Sequence, residues 1–258
     1  METLTTPDGT TIAYQVTGTG PALVLVVGAF CDRSSTADLT ALLADAFTVY
    51  EYDRRGRGAS GDTPPYAAQR EVEDLTAVLA ATGGTPYVYG HSSGAVIALE
   101  AAAGGAPVRA VVAYEPPYTA EDDPSGGSGE ILERVRARVE AGDRDGAAAA
   151  FLEGAGAPAE VVAMIRTGPG WPRMCELAPT LVYDLTLTNG GLVPAGRLAH
   201  IDVPTLLLAG GASPAWAGRS AAAVAAVVPG ARTSVVAGQG HGVAAAAVAP
   251  VLREFLRG

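Results

Sequence analysis

Pro86-Tyr87-Val88-Tyr89-Gly90-His91-Ser92-Ser93-Gly94-Ala95-Val96-Ile97-Ala98-Leu99 decides how this chain folds. The apolar run at 86–89 reads as a strand and the alanine-rich run from 95 as a helix, which leaves five residues for a tight turn between them. A serine at the centre of such a turn is held out from the backbone as a nucleophile elbow. The flanking glycines are needed because side chains there would collide with the neighbouring strand and helix. A serine in a glycine-rich loop is common; a strand before it and a helix after it make the pattern much more specific.

Working outward, strand-like runs fall at 2–6, 10–16, 22–27, 47–52, 108–114, 205–209 and 233–236, and helix-like runs at 36–46, 69–82, 95–103 and 220–228. Asp8-Gly9 is a hairpin signal between the first two strands. Apolar strands separated by helices imply a mostly parallel sheet covered on both faces, because each parallel connection crosses over through a helix. The fold class is therefore α/β. The alternation lapses between about 118 and 197. There Glu121-Asp122-Asp123-Pro124-Ser125-Gly126-Gly127-Ser128-Gly129 reads as a mobile linker, followed by helical patches broken by Pro158, Pro169, Pro172 and Pro179. The expected organisation is a core of residues 1–117 and 198–258 with a helical cap, 118–197, inserted over the sheet. No internal repeat is visible.

Composition narrows the chemistry. At 258 residues the chain is long enough to bury roughly 70 to 75% of the surface its unfolded form exposes, without disulfides or metal. All 17 basic residues are arginine. The absence of lysine excludes a Schiff base, a P-loop lysine and a Ser-Lys dyad. A net charge of −10 argues against a nucleic-acid partner, since phosphates would be repelled. Arg134, Arg136 and Arg138 alternate with Glu130, Glu133 and Glu140, the pattern of a solvated helix face. No apolar segment reaches the length of a membrane span, and Met1-Glu2-Thr3 opens no signal peptide. Cys31 and Cys175 are too few and too far apart for a disulfide framework or a zinc site, so the expectation is a cytoplasmic protein with no metal and no cofactor.

In such a sheet ligands gather beyond the carboxyl ends of the strands, where Ser92 lies. A serine hydroxyl needs a base, and the chain has three histidines. The side chain of His91 should diverge from that of its neighbour, and His200 falls in a loop leading into the strand at 205. His241, in Gly238-Gln239-Gly240-His241-Gly242, follows the final strand at a carboxyl end and is the expected base. A carboxylate should fix the tautomer of that imidazole. The strand at 205–209 ends in Gly210-Gly211-Ala212-Ser213-Pro214 with no acid, whereas Tyr114-Glu115-Pro116-Pro117 offers Glu115 at another carboxyl end. The order Ser92, Glu115, His241 keeps nucleophile, acid and base in sequence along the chain.

With these motifs, the chain resembles the α/β-hydrolase superfamily over nearly its whole length. Besides the elbow and the Gly-His loop, Asp53-Arg54-Arg55-Gly56-Arg57-Gly58-Ala59-Ser60 is similar to the superfamily's Asp-x-Arg-Gly-x-Gly-x-Ser turn, and Val203-Pro204-Thr205-Leu206-Leu207-Leu208 to its seventh-strand entry. These motifs are specific for fold and much less so for substrate. The resemblance implies an α/β-hydrolase fold and leaves two departures. Ser213 stands where members usually place the triad Asp. Some haloalkane dehalogenase-like members take a Glu from the end of the sixth strand, the place matched by Glu115; the alternative is that Glu115 pairs locally and Ser213 or a water orients the base. Where relatives have His-Gly after the third strand, this chain has Val27-Gly28-Ala29-Phe30. Ala29 is the matching backbone donor of the oxyanion hole, with Ser93 N–H as the second.

In the arginine-rich turn, Asp53 and Arg54 are expected to make buried hydrogen bonds rather than touch substrate. Cys31, without a base of its own, reads as a small buried hydrophobe. Tyr118, Met164, Trp171, Met174 and Tyr183 either line an apolar pocket or form the cap's own core. The expected activity is a serine hydrolase acting on a small-molecule ester, thioester or lactone of apolar character. A dehalogenase or epoxide hydrolase would need a carboxylate at position 92. The rivals are a non-hydrolytic enzyme of the same fold (cyclase, lyase or C–C cleaving) and a small-molecule receptor with little turnover.

Overall fold

The computed structural model describes residues 1–119 and 128–257. Eight strands form one sheet: β1 (Glu2–Thr5), β2 (Thr11–Gly18), β3 (Ala22–Val26), β4 (Thr48–Tyr52), β5 (Tyr87–His91), β6 (Ala110–Tyr114), β7 (Thr205–Gly210) and β8 (Arg232–Val236). Their spatial order is β1-β2-β4-β3-β5-β6-β7-β8. The pairings of β1 with β2 and of β2 with β4 are antiparallel and the rest are parallel. The first antiparallel pair is closed at Asp8-Gly9, where Gly9 takes a φ of 86°. The interior strands β3, β5, β6 and β7 carry almost unbroken apolar runs because both of their faces are covered. At the edge, β8 is largely exposed and opens on Arg232, Thr233 and Ser234.

One face of the sheet packs against α2 (Ala68–Ala81), α3 (Ser93–Ala103) and α10 (Ala215–Val227), through Leu75, Val78, Ile97, Leu99 and Val224. The other face is covered by α1 (Ala37–Leu43) and α11 (Ala245–Arg257), through Leu39, Leu43, Val248, Leu252 and Leu256. The sequence reading did not contain α11: Ala244-Ala245-Ala246-Ala247 has no periodicity, and Pro250, which lies inside the helix, reads as a breaker. It also began α10 five residues too late, because Pro214 caps the helix rather than ending one.

Between β6 and β7 the described chain is helical: α4 (Ser128–Glu140), α5 (Arg144–Gly154), α6 (Ala159–Arg166), α7 (Trp171–Leu177), α8 (Leu181–Leu187) and α9 (Ala195–Leu198). Most of the stretch read as a linker lies outside the described residues; Ser128 and Gly129 already belong to α4. Pro158 and Pro172 sit at the starts of α6 and α7, where a missing N–H and a fixed φ favour a helix. Val135, Ala147, Ala148, Val162, Trp171 and Leu181 form a separate apolar cluster in this insert, and Ala29 and Phe30 of the turn after β3 pack against it.

The strand order reverses at β3: β4 lies on one side of it and β5 on the other. Turns leaving the carboxyl ends of two strands at such a reversal point in opposite directions and open a crevice between them. The turn after β3 holds Ala29, and the turn after β5 holds Ser92.

Candidate active site

Ser92 lies at φ 55° and ψ −124°, between the end of β5 and the first turn of α3. Its N–H donates to Tyr114 O at 2.8 Å, which ties the turn to the adjacent β6. The glycines around it are demanded by backbone contacts. A Cβ on Gly90 would lie 2.4 Å from Gly94 O, and one on Gly94 would lie 2.3 Å from Val26 O. Neither backbone can yield without pulling α3 off the sheet. Gly94→Ala is therefore expected to cost about 3 kcal/mol, the upper end of ordinary overpacking, read as a lowered urea midpoint; an unchanged midpoint would contradict this account of the turn.

His241 follows β8, and its Nε2 lies 3.1 Å from Ser92 Oγ. Its Nδ1 lies 2.7 Å from Glu115 Oε2. A carboxylate only accepts, so Nδ1 carries the hydrogen and Nε2 is left with a lone pair facing the serine hydroxyl. Glu115 is fully buried at the end of β6. Its Oε1 accepts from Gly210 N–H at 2.7 Å and from Ser213 Oγ at 2.5 Å. Burial raises its pKa, but the hydrogen bonds from His241, Ser213 and Gly210 outweigh it and hold the carboxyl below its ordinary value. The two alternatives left by the sequence, Glu115 and the Ser213 loop, thus meet: the carboxylate touches the imidazole and Ser213 holds the carboxylate.

Among the described residues, no hydrogen bond joins the His91 ring to Ser92. Its Nε2 donates to His241 O at 2.7 Å, and its ring stacks on Tyr114 with centroids 5.4 Å apart. Tyr114 OH donates to Gly240 O at 2.6 Å, so two side chains pin the loop that carries His241. Burial, with the nearby His241 ring, pushes the His91 imidazole down to about 4 from its ordinary 6.5. Between those values the unfolded chain takes up the proton and the folded one does not, so this residue's contribution is complete above pH 6.5 and shrinks as pH falls toward 4. His91→Phe should lose less stability than the parent between pH 7 and pH 5, whatever its stability at pH 7. Urea midpoints that fall in parallel for the two proteins would refute this. His200 is elsewhere, exposed, with Nδ1 3.2 Å from Arg197 O.

Ala29 lies in the turn after β3 and Ser93 at the first position of α3. Among the described residues, the non-glycine positions with positive φ are Phe30 at 58°, Ser92 at 55° and Glu115 at 46°. All three sit in the turns that converge on Ser92. Strain of this kind costs on the order of 1–3 kcal/mol per residue and persists where the surroundings hold it.

The arginine-rich turn is buried throughout: Arg54, Arg55 and Arg57 are each at most 1% exposed. Arg54 forks onto Glu71 at 2.7 and 2.9 Å, and Arg55 onto Asp74 at 2.7 and 2.8 Å. Asp53 accepts from Ala59 N–H at 2.8 Å and Arg33 N–H at 2.9 Å. The sequence did not expose the residue that completes this network, Asp184 of α8. Its Oδ1 accepts from Arg54 Nη1 at 2.8 Å and Ser93 Oγ at 2.6 Å, and its Oδ2 from Arg57 Nη2 at 2.7 Å. The one available signal was an acid in the apolar helical run 181–187 of a chain whose turn crowds three arginines. Trp216 was also missed; its ring lies 5.8 Å from that of His241.

Cys31 is half-buried, and burial pushes its thiol pKa up, away from a nucleophile's requirement. It lines a cavity of about 300 Å³ together with Gly28, His91 and Val243, whose walls do not include Ser92. Of the aromatic and methionine candidates, Trp171 and Met174 pack in the insert's own cluster, and Tyr118 is buried against the main core. Met164 is 66% exposed. Tyr183 stacks on Tyr66 at 3.9 Å and donates to Asp62. No group of three or more His, Cys, Asp or Glu suited to a metal ion occurs among the described residues, and none of the described helices is long and apolar enough to cross a membrane.

A hydroxyl, an imidazole and a buried carboxylate, contributed in that geometric order by three turns at one end of a mostly parallel sheet, define a class of α/β protein. The chain belongs to the alpha/beta hydrolase family, whose model matches residues 23–253. It superposes on an alpha/beta hydrolase from Sphaerobacter thermophilus with a TM-score of 0.92 and 43% identity, covering 99% of this chain and 100% of that one. Two curated relatives match at 38% identity: an uncharacterized hydrolase, YraK, of Bacillus subtilis over 96 residues, and an N-formylmaleamate deformylase of Pseudomonas putida over 106. These alignments span 36% and 40% of this chain, and 35% and 40% of the two relatives.

Proposed function

We propose that the chain is a serine hydrolase that cleaves small-to-medium apolar esters, thioesters or lactones through an acyl-enzyme. The observation that carries this reading is the continuous path from Ser92 Oγ through His241 to Glu115, at 3.1 and 2.7 Å. Both distances are within the reach proton transfer needs. Ser92 attacks the carbonyl while His241 Nε2 takes its proton, and Glu115 stabilises the imidazolium that forms. The N–H groups of Ala29 and Ser93 hold the oxyanion. His241 then gives the proton to the leaving group, and water repeats the attack on the acyl-enzyme. Residues 118–197 act as a cap over the core of 1–117 and 198–258, and Phe30, edge-on to Phe151 of α5 at 5.2 Å, joins the two at the oxyanion turn. Two free cysteines fit a reducing compartment such as the cytoplasm.

The test is covalent labelling with an activated fluorophosphonate, located by mass spectrometry, alongside a panel of short and medium nitrophenyl esters, lactones and N-formylmaleamate. The expected result is one label on Ser92 and turnover of part of the panel. A protein that takes no label and cleaves nothing in the panel would overturn the proposal.

A further inference from the structure

Arg57 occupies one of the positions that the Asp-x-Arg-Gly-x-Gly-x-Ser turn leaves unassigned, and it is 1% exposed. Its Nη1 donates to Gly28 O at 2.6 Å and to Cys31 O at 3.1 Å, so a single nitrogen spans the turn after β3 from first to last residue. Gly28 O belongs to the same peptide plane as Ala29 N–H. In a trans peptide the two point in opposite directions, so whatever fixes the carbonyl fixes the line of the N–H. Ala29 N–H has no hydrogen-bond partner among the described residues. The same turn holds Phe30 at a φ of 58°, a conformation that needs an external restraint. The restraint is itself anchored: Arg57 Nη2 is held by Asp184 Oδ2, and the other oxygen of that carboxylate takes the hydroxyl of Ser93, the second donor residue.

We propose that Arg57, held by Asp184 of α8, is the positioning residue of the oxyanion hole: it locks the Gly28–Ala29 peptide so that Ala29 N–H faces the substrate oxygen, while Asp184 sets Ser93 in the same frame. This rests on the acyl-transfer reading above. The guanidinium also polarises the peptide it holds. A cation on the carbonyl draws electron density from the N–H and makes it a stronger donor where negative charge develops. The arrangement accounts for a buried arginine at a position the motif does not require, and for a carboxylate from the insert reaching beneath the elbow.

The experiment compares Arg57→Met and Arg57→Lys with the parent. It reads Ser92 labelling, kcat and KM on a nitrophenyl ester from the panel, and hydrogen exchange of the backbone amides at 28–31. Arg57→Met is expected to lower kcat about a hundredfold, as the loss of one oxyanion donor does, with KM within about threefold and faster exchange at 28–31. Arg57→Lys keeps the charge but gathers its donors on one nitrogen in place of the fork, and should recover about tenfold of that loss; if the Met variant does not fold, the Lys variant alone should still show lowered kcat with KM held. A parent that labels and turns over, with kcat in the substituted proteins within about threefold of it, overturns the proposal and leaves the serine mechanism standing. Loss of kcat with unchanged exchange at 28–31 also overturns it. A parent that takes no label overturns the serine mechanism first, and the oxyanion assignment with it.

Discussion

Ser92→Ala is expected to yield a folded protein whose ester turnover is lower by roughly a millionfold, the loss seen when the nucleophile of an intact serine triad is removed. The fold should survive because, among the described residues, the hydroxyl has one partner, His241 Nε2, and Ser92 is partly exposed. The methyl group of alanine occupies the place of the serine Cβ, which packs so closely on Gly28 that a Cβ there would lie 2.8 Å from it, so this contact is undisturbed. Single-turnover kinetics with the best ester of the panel, and thermal melts of both proteins, are the measurements. Retention of more than about a thousandth of the parent rate would mean that another group attacks the carbonyl. A collapse in melting temperature would mean that the hydroxyl is structural.

Glu115→Gln should lower kcat roughly ten-thousandfold with little change in fold, the size of effect that follows when a triad imidazole is forced into the wrong tautomer. The direction follows from the bonds around the side chain. Oε1 receives two donors, Gly210 N–H and the Ser213 hydroxyl, so the amide oxygen of glutamine takes that position. The amide NH₂ then faces His241 Nδ1 and donates to it. Nδ1 gives up its hydrogen, Nε2 carries one instead, and the lone pair that should receive the serine proton is gone. Ser213→Ala removes one of two donors to the same oxygen and is expected to cost about tenfold. The comparison is made with kcat on one ester at pH 7.5. If Ser213→Ala proves the more damaging, the orienting role belongs to the Ser213 loop.

The grouping of side chains at the carboxyl ends of the strands was largely readable because its motifs are local. A serine between two glycines, with an apolar run before it and a helix-forming run after it, marks an elbow, and a histidine in a glycine-flanked loop after the last strand falls at the same end of the sheet. Glu115 was readable as the carboxylate at the end of β6, but not its relation to Ser213, since the two meet across β6 and β7 through side chains 98 positions apart. Asp184 was barely readable: its one signal was an acid in an apolar helical run, it lies 127 residues from Arg57, and the two meet only once α8 has docked under the turn. The interior strands declared themselves by unbroken apolar runs. By contrast, α11 did not, because its opening alanines carry no phase and Pro250 interrupts the buried stripe of Val248, Leu252 and Leu256.

The salt link under the elbow also bolts α8 of the insert to the core. Swinging α8 outward as a rigid door would strip Arg54 of one carboxylate and Arg57 of its one anion, exposing a stranded cation in an apolar seam at several kcal/mol. Doors with such hinges open rarely. The ion pairs among α4, α5 and α6 lie in solvent and part at almost no cost, so the electrostatic anchor of the insert is α8.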